Sequence, residues 1–166
     1  ITAAQANAVA LLTTGAVTAT VSSTAAGDLQ NLAVAGNNFT YSINDADAPV
    51  AGLPPAVLGG ATNITVTGVA TAAQATTILG AQNAGTTTIA AVEDTAARIL
   101  ALPMGTNDTI MSVIVTGAAT VQQLLDLVVL DNLPGVDTVT IASVSDTAQA
   151  LTGVTNAALN LVTGPV

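Results

Sequence analysis

The strongest constraint on this chain is a repeat of about two dozen residues, a unit too short to bury its own apolar face and so obliged to stack on its neighbours. Each copy opens with Thr-Ala-Ala-Gln or a variant and closes in a Thr/Val-rich run. The opening is clearest at Thr2-Ala3-Ala4-Gln5, Thr71-Ala72-Ala73-Gln74 and Thr95-Ala96-Ala97-Arg98. Weaker copies stand at Thr24-Ala25-Ala26-Gly27, Asp47-Ala48, Thr120-Val121-Gln122-Gln123 and Thr147-Ala148-Gln149-Ala150. With starts near 2, 24, 47, 71, 95, 120 and 147, residues 1–166 read as one repeat-built solenoid domain without an internal boundary.

Inside a copy the apolar residues first recur at helical spacing and then alternate with Thr, so each unit reads as a helix followed by a strand. In the sixth copy Val121, Leu124, Leu125 and Val128 fall at i, i+3, i+4 and i+7, one stripe of a helix. Beyond Leu133-Pro134-Gly135 the period changes to two, leaving Val136, Val139 and Ile141 for burial. Asp47, Asp94 and Asp146 stand at equivalent places before helices, where a carboxylate accepts from first-turn N–H groups and complements the positive helix end. Gly15, Gly36, Gly59, Gly85, Gly105 and Gly135 are the expected helix stops. The third copy, with Pro49 and Pro54-Pro55, is expected to be irregular or one turn long.

Strands are expected near Ala16–Val21, Phe39–Ile43, Asn63–Gly68, Thr86–Ala91, Met111–Thr116 and Asp137–Ser143, with a seventh at Leu159–Val162. A helix between successive strands makes them parallel, with the right-handed crossover such units adopt. The expected architecture is therefore α/β, a repeat solenoid of about seven helix–strand coils with a parallel sheet on one side, roughly 34 Å long. A doubly wound sheet shares the alternation but needs strands apolar on both faces. Thr alternating with Val or Ile fits a one-sided stack better, and no Gly-x-Gly-x-x-Gly fingerprint is present.

Charge narrows the function classes. Ten acidic side chains face a single cation, Arg98, for a net charge of −9, so the clustered Lys and Arg needed to neutralise nucleic-acid phosphates are missing. Without His, Cys or Lys, most general bases, activated nucleophiles and Schiff-base chemistry are unavailable, which reads as a protein that is not an enzyme. The apolar residues are scattered and form no run long enough for a transmembrane segment. An acidic chain rich in Thr, Ala and Gly points to an extracellular or cell-surface location.

Three sets of candidate residues remain. Asp45 and Asp47, in Asn44-Asp45-Ala46-Asp47, offer hard oxygen ligands at a turn and make calcium the one metal cofactor to consider, although helix capping is the stronger reading of Asp47 and needs no metal. The pairs Thr18/Thr20, Thr40/Ser42, Thr65/Thr67 and Thr138/Thr140 would place hydroxyl and methyl rows on the outer sheet face, although Thr also suits any exposed strand. The pattern weakens at Thr86-Thr87-Thr88 and fails at Met111-Ser112-Val113. Three sequons, beginning at Asn38, Asn63 and Asn107, sit at turns entering strands. Arg98 is placed to pair with Glu93 or Asp94.

The Thr-x-Thr pairs resemble the flat arrays of ice-binding proteins. The segments Val92-Glu93-Asp94-Thr95-Ala96-Ala97-Arg98-Ile99-Leu100 and Val136–Ala148 resemble Asp-Thr-Ala-Ala / Thr-Val-Thr repeats of very large bacterial secreted surface proteins, adhesin-like and S-layer-like. That resemblance implies a structural or adhesive role outside the cell. Ile1 leading into a helix and Leu159–Val162 awaiting a neighbour give the same direction, namely copies or neighbouring repeats joined end to end. The expected function is a structural rod, filament or lattice, with ice or surface binding through the Thr face as the alternative.

Overall fold

The computed structural model describes residues 1–166. The chain starts with helix α1 (Ala3–Leu11), strand β1 (Thr18–Thr20), α2 (Ala26–Leu29), β2 (Asn38–Thr40) and β3 (Ile43–Asp45). Helices α3 (Asp47–Ala51) and α4 (Pro55–Gly60) lead to β4 (Ile64–Ala70), α5 (Ala72–Leu79), β5 (Thr87–Asp94) and α6 (Ala96–Ile99). The remainder is β6 (Asp108–Ile110), β7 (Val113–Ala119), α7 (Val121–Asp131), β8 (Val139–Val144), α8 (Ala148–Leu151) and α9 (Asn156–Leu159). This is a mixed α/β fold with parallel sheets and nine helices.

Every strand pair is parallel, and spatial order follows chain order. β1 pairs with β2 in a two-stranded sheet; the six-stranded sheet runs β3-β4-β5-β7-β8, with β6 also on β5. Helical segments carry the chain back between parallel neighbours, as parallel pairing requires. Inward residues of the strands form one continuous core with the inner faces of the helices, from Ala3 to Ala158. In β4, Ile64 and Val66 are buried while Thr65 is half-buried and Thr67 exposed, the alternation of a sheet covered on one face. On the helices small alanines such as Ala3, Ala6, Ala72 and Ala75 share the buried face with the larger Leu29, Leu58, Ile78, Ile99, Leu124 and Leu127.

Helix starts fall where the repeat places them, and three carry a full capping box. Thr2, Thr71 and Thr120 accept from the backbone N–H of Gln5, Gln74 and Gln123, whose side chains accept from the Thr N–H in return. Other expectations are corrected. Helices end well before most of the expected glycines, at Leu11, Leu29, Leu79, Ile99 and Asp131, and only α4 stops on Gly59-Gly60. After α2 the chain turns inward to bury Leu32, so that helix is already over when Gly36 arrives, whereas α3 is capped by Gly52, a glycine outside the expected set. Gly36 and Gly135 serve the turn into the next strand, with φ of +76° and +96°.

The third copy holds two helices. Pro49 sits in the first turn of α3 and Pro55 at the first position of α4, places where a missing N–H costs no helical hydrogen bond. Leu124 and Leu127 form the buried stripe of α7, while Leu125 is 42% exposed. The expected seventh strand is reduced to a single bridge: Leu159 closes α9, Asn160 and Leu161 form a turn, and Val162 makes an isolated parallel bridge to Ile141. No helix is long and apolar enough to cross a membrane.

Candidate functional site

The threonine candidates divide between the two sheets. Thr18 and Thr20 in β1 lie beside Asn38 and Thr40 in β2, so Thr20 and Thr40 are direct neighbours and all three threonines are exposed. Ser42 falls in the break between β2 and β3, outside either strand. In the larger sheet Thr65 stands between Asn44 and Thr88, and Thr88 is followed by Thr109. The longest threonine row is thus Thr65-Thr88-Thr109, all half-buried. Thr67 is exposed just before a register shift between β4 and β5. Thr140 aligns with Ile114, itself beside Glu93, while Thr138 hydrogen-bonds through Oγ1 to the Met111 carbonyl at 3.1 Å. The candidates do not join into one uniform face.

The carboxylates show a regular device. Asp45 and Asp94 end their strands and Asp146 stands two residues beyond β8, and each bridges two successive turns of the chain with its two oxygens. Oδ1 accepts from the next residue's N–H, Ala46 at 2.8 Å, Thr95 at 2.8 Å and Thr147 at 2.7 Å. Oδ2 accepts from the first N–H of the preceding helix, Ala26 at 3.0 Å, Ala72 at 3.2 Å and Val121 at 3.0 Å. Those amides have no partner inside their own helices, so the bridge satisfies donors a helix start leaves open. Ser23 holds the same relation to the first helix, its Oγ accepting from the Ala3 N–H at 3.2 Å.

These contacts govern ionisation. Hydrogen bonds from the Thr95 N–H and then from the Ala72 N–H hold the Asp94 carboxyl below its ordinary value, partly opposed by desolvation, with Arg98 assisting. The Thr147 and Val121 N–H groups do the same for Asp146. Arg98 meets Asp94 at 3.5 Å with its own side chain 70% exposed, a geometry that contributes little at a surface. Beside it a shallow concavity of about 440 Å³ is lined by Val69, Thr71, Glu93, Asp94, Arg98 and Thr116. Two carboxylates there outweigh the one cation, so it is not built for an anion.

Asp47 belongs to a different position from the one its spacing suggests. It is the first residue of α3, and its Oδ2 accepts from Nε2 of Gln74 at 2.9 Å. Asp45, not Asp47, is the counterpart of Asp94 and Asp146. The two acids therefore point at separate partners, and no group of three or more acidic side chains gathers anywhere in the chain. Calcium takes six to eight oxygens, and this donor set does not fit it. Of the sequon asparagines, Asn38, Asn63 and Asn107 are all exposed, and Asn63 Oδ1 accepts from the Thr86 N–H at 3.0 Å.

Sequence reasoning missed Thr88 and Thr109 as members of the threonine row and missed the bridging role of Asp45. The first signal was present as Thr-Thr-Thr at 86–88 and Thr109 two residues after Asn107; the second was present as an Asp followed by Ala or Thr and then a helix. Compared with known proteins, the chain matches no protein-family model, no curated protein and no solved structure.

Proposed function

We propose that this chain is a repeat solenoid of about seven helix–strand coils and serves as a non-enzymatic structural segment at the cell surface or in the extracellular matrix. Copies of itself, or neighbouring repeats, join it end to end into a rod, filament or lattice. The observation that carries this reading is the parallel pairing of strands in chain order, through a two-stranded and then a six-stranded sheet, which leaves a one-sided rung at either end. At one end Ile1 donates to the Thr20 carbonyl at 2.9 Å and accepts from the Ser22 N–H at 2.8 Å. At the other, Ile141 donates to the Leu161 carbonyl and Thr163 to that of Ile141. One-sided rungs are templates for a further strand. The resemblance to repeats of large bacterial surface proteins supports the same role.

Electron microscopy of the purified protein, with and without calcium, tests the assembly. Regular filaments or sheets are the expected outcome; dispersed short particles over a wide concentration range would overturn it. A second reading, ice or surface binding, is favoured by the in-register row Thr65-Thr88-Thr109. Replacing Thr65 and Thr88 by Tyr separates the two: thermal hysteresis is lost if ice is the ligand, whereas filament formation survives if the end rungs drive assembly.

A further inference from the structure

The interfaces between successive rungs are not alike. Across β4/β5, the Ala72 N–H donates to Asp94 Oδ2, the Thr86 N–H to Asn63 Oδ1, and Asn83 Nδ2 to the Thr62 carbonyl at 3.2 Å. Across β7/β8, the Val121 N–H donates to Asp146 Oδ2, and Thr138 and Thr140 donate through Oγ1 to the Met111 and Val113 carbonyls. Both interfaces have five aligned residue pairs broken by one register shift, at Val66/Val69 and at Val115/Ala118. The interface between them differs. β5 meets β6 over Thr87–Ile89 and β7 over Val92–Asp94, two three-residue runs without such a shift within either. Side chains make no hydrogen bond across it. Ala119, which occupies the place of the bridging aspartates, has no side-chain oxygen to offer the first N–H of α6.

We propose that β4/β5 and β7/β8 are closed two-rung modules, and that the stack opens first at the seam where β5 meets β6 and β7 while both modules stay shut. In a stacked array stability is a sum of unit and nearest-neighbour terms, so the interface with the fewest cross-links sets where opening begins. The seam keeps its backbone ladder and its buried Ile89, Val92, Val113 and Val115, which hold it closed under ordinary conditions. The aspartates act as latches inside the modules. This inference rests on reading the chain as a stacked array, and it gives a rod built from such chains a defined yield point.

Residue-resolved amide exchange on the full, dispersed chain at neutral pH tests it. The amides of Thr87, Val92 and Met111 donate across the seam, whereas those of Ile64, Val113 and Ser145 donate across the latched interfaces. The seam amides should exchange at least tenfold faster. Equal rates, or rates graded simply by distance from the chain ends, would overturn the proposal. An Asp94→Asn variant gives a second readout: the Ala72 and Ile64 amides should speed up while Thr87 and Val92 stay within twofold of the original rates. Equal acceleration on both sides would again refute it. Because exchange is measured on single chains, failure to form filaments would remove the assembly role and leave this ordering standing.

Discussion

Val66–Gln74 and Val115–Gln123 are near copies set 49 residues apart, and they place the same elements by partly different means. Both run Val-Thr-Gly, shift register, pass a buried alanine, and enter a helix through a Thr/Gln capping box. Their glycines are needed for separate reasons. A Cβ on Gly68 would lie 2.5 Å from Asp47 Oδ1, whereas a Cβ on Gly117 would meet nothing within 4 Å, and there φ is +73°. One glycine makes room for a neighbour; the other permits a left-handed turn. The size of the buried side chain differs as well, since Ala75 on α5 has Leu124 on α7 as its counterpart, both fully buried. A repeat motif thus conserves the route of the backbone and lets each copy fill its surroundings anew.

The difference in buried side-chain size predicts the largest effects. Leu124→Ala should cost about 2–5 kcal/mol in urea unfolding, while the reverse change at the matched site, Ala75→Leu, should cost about 1–3 kcal/mol by overpacking. If Ala75→Leu proved neutral, the two helices would not be filling differently sized spaces. The glycines come next. Gly117→Ala should cost about 1–2 kcal/mol whatever stands nearby, because the penalty lies in the backbone. Gly68→Ala should cost a similar amount, about 1–3 kcal/mol, and most of it should vanish when Asp47 is also replaced by Ala. A double mutant as unstable as Gly68→Ala alone would break the distinction.

Smaller effects sharpen the likeness. Thr71→Ala and Thr120→Ala should each cost about 1 kcal/mol, since each removes the hydroxyl of a capping box, and the two losses should agree within the error of paired denaturation curves. Smallest are the acid responses. Asp94 and Asp146 have folded values below the ordinary 3.8, so the folded state binds fewer protons there than the unfolded one. Their contribution is present above that value and declines as pH falls through the lower folded values. Carboxyl titration by NMR should find both lowered. Arg98→Ala should raise the Asp94 value slightly and leave Asp146 where it was; movement of both would refute a local origin.

Much of this plan was legible because it depends on local chemistry. Thr followed three residues later by Gln marks the starts of α1, α5 and α7, and alternation of Thr with Ile or Val marks β4 and β8. What escaped depends on neighbours brought together by the parallel sheets. Asp45 looked like one of a pair with Asp47 because the two are close in sequence; its true partner, the Ala26 N–H, lies 19 residues back. Thr88 joins Thr65 only because β5 pairs with β4 in a particular register, which one chain segment cannot reveal. Leu125 and Leu127 are equally apolar, and the choice between them follows from how α7 is rotated against the sheet.

The buried Tyr41 has a practical consequence. Its hydroxyl donates to the Val57 carbonyl at 2.7 Å, under α4, and lies where a side chain on Gly60 would have to go. Burial pushes its ionisation up to about 12. An unfolded chain would release that proton near pH 10, so stability declines between pH 10 and 12, by about 2–3 kcal/mol at the upper limit. Because the sequence has one tyrosine and no tryptophan, the near-ultraviolet spectrum is in effect a single-site sensor. It reports phenolate formation and loss of asymmetry at the two-helix copy, and would remain silent while distant strands came apart.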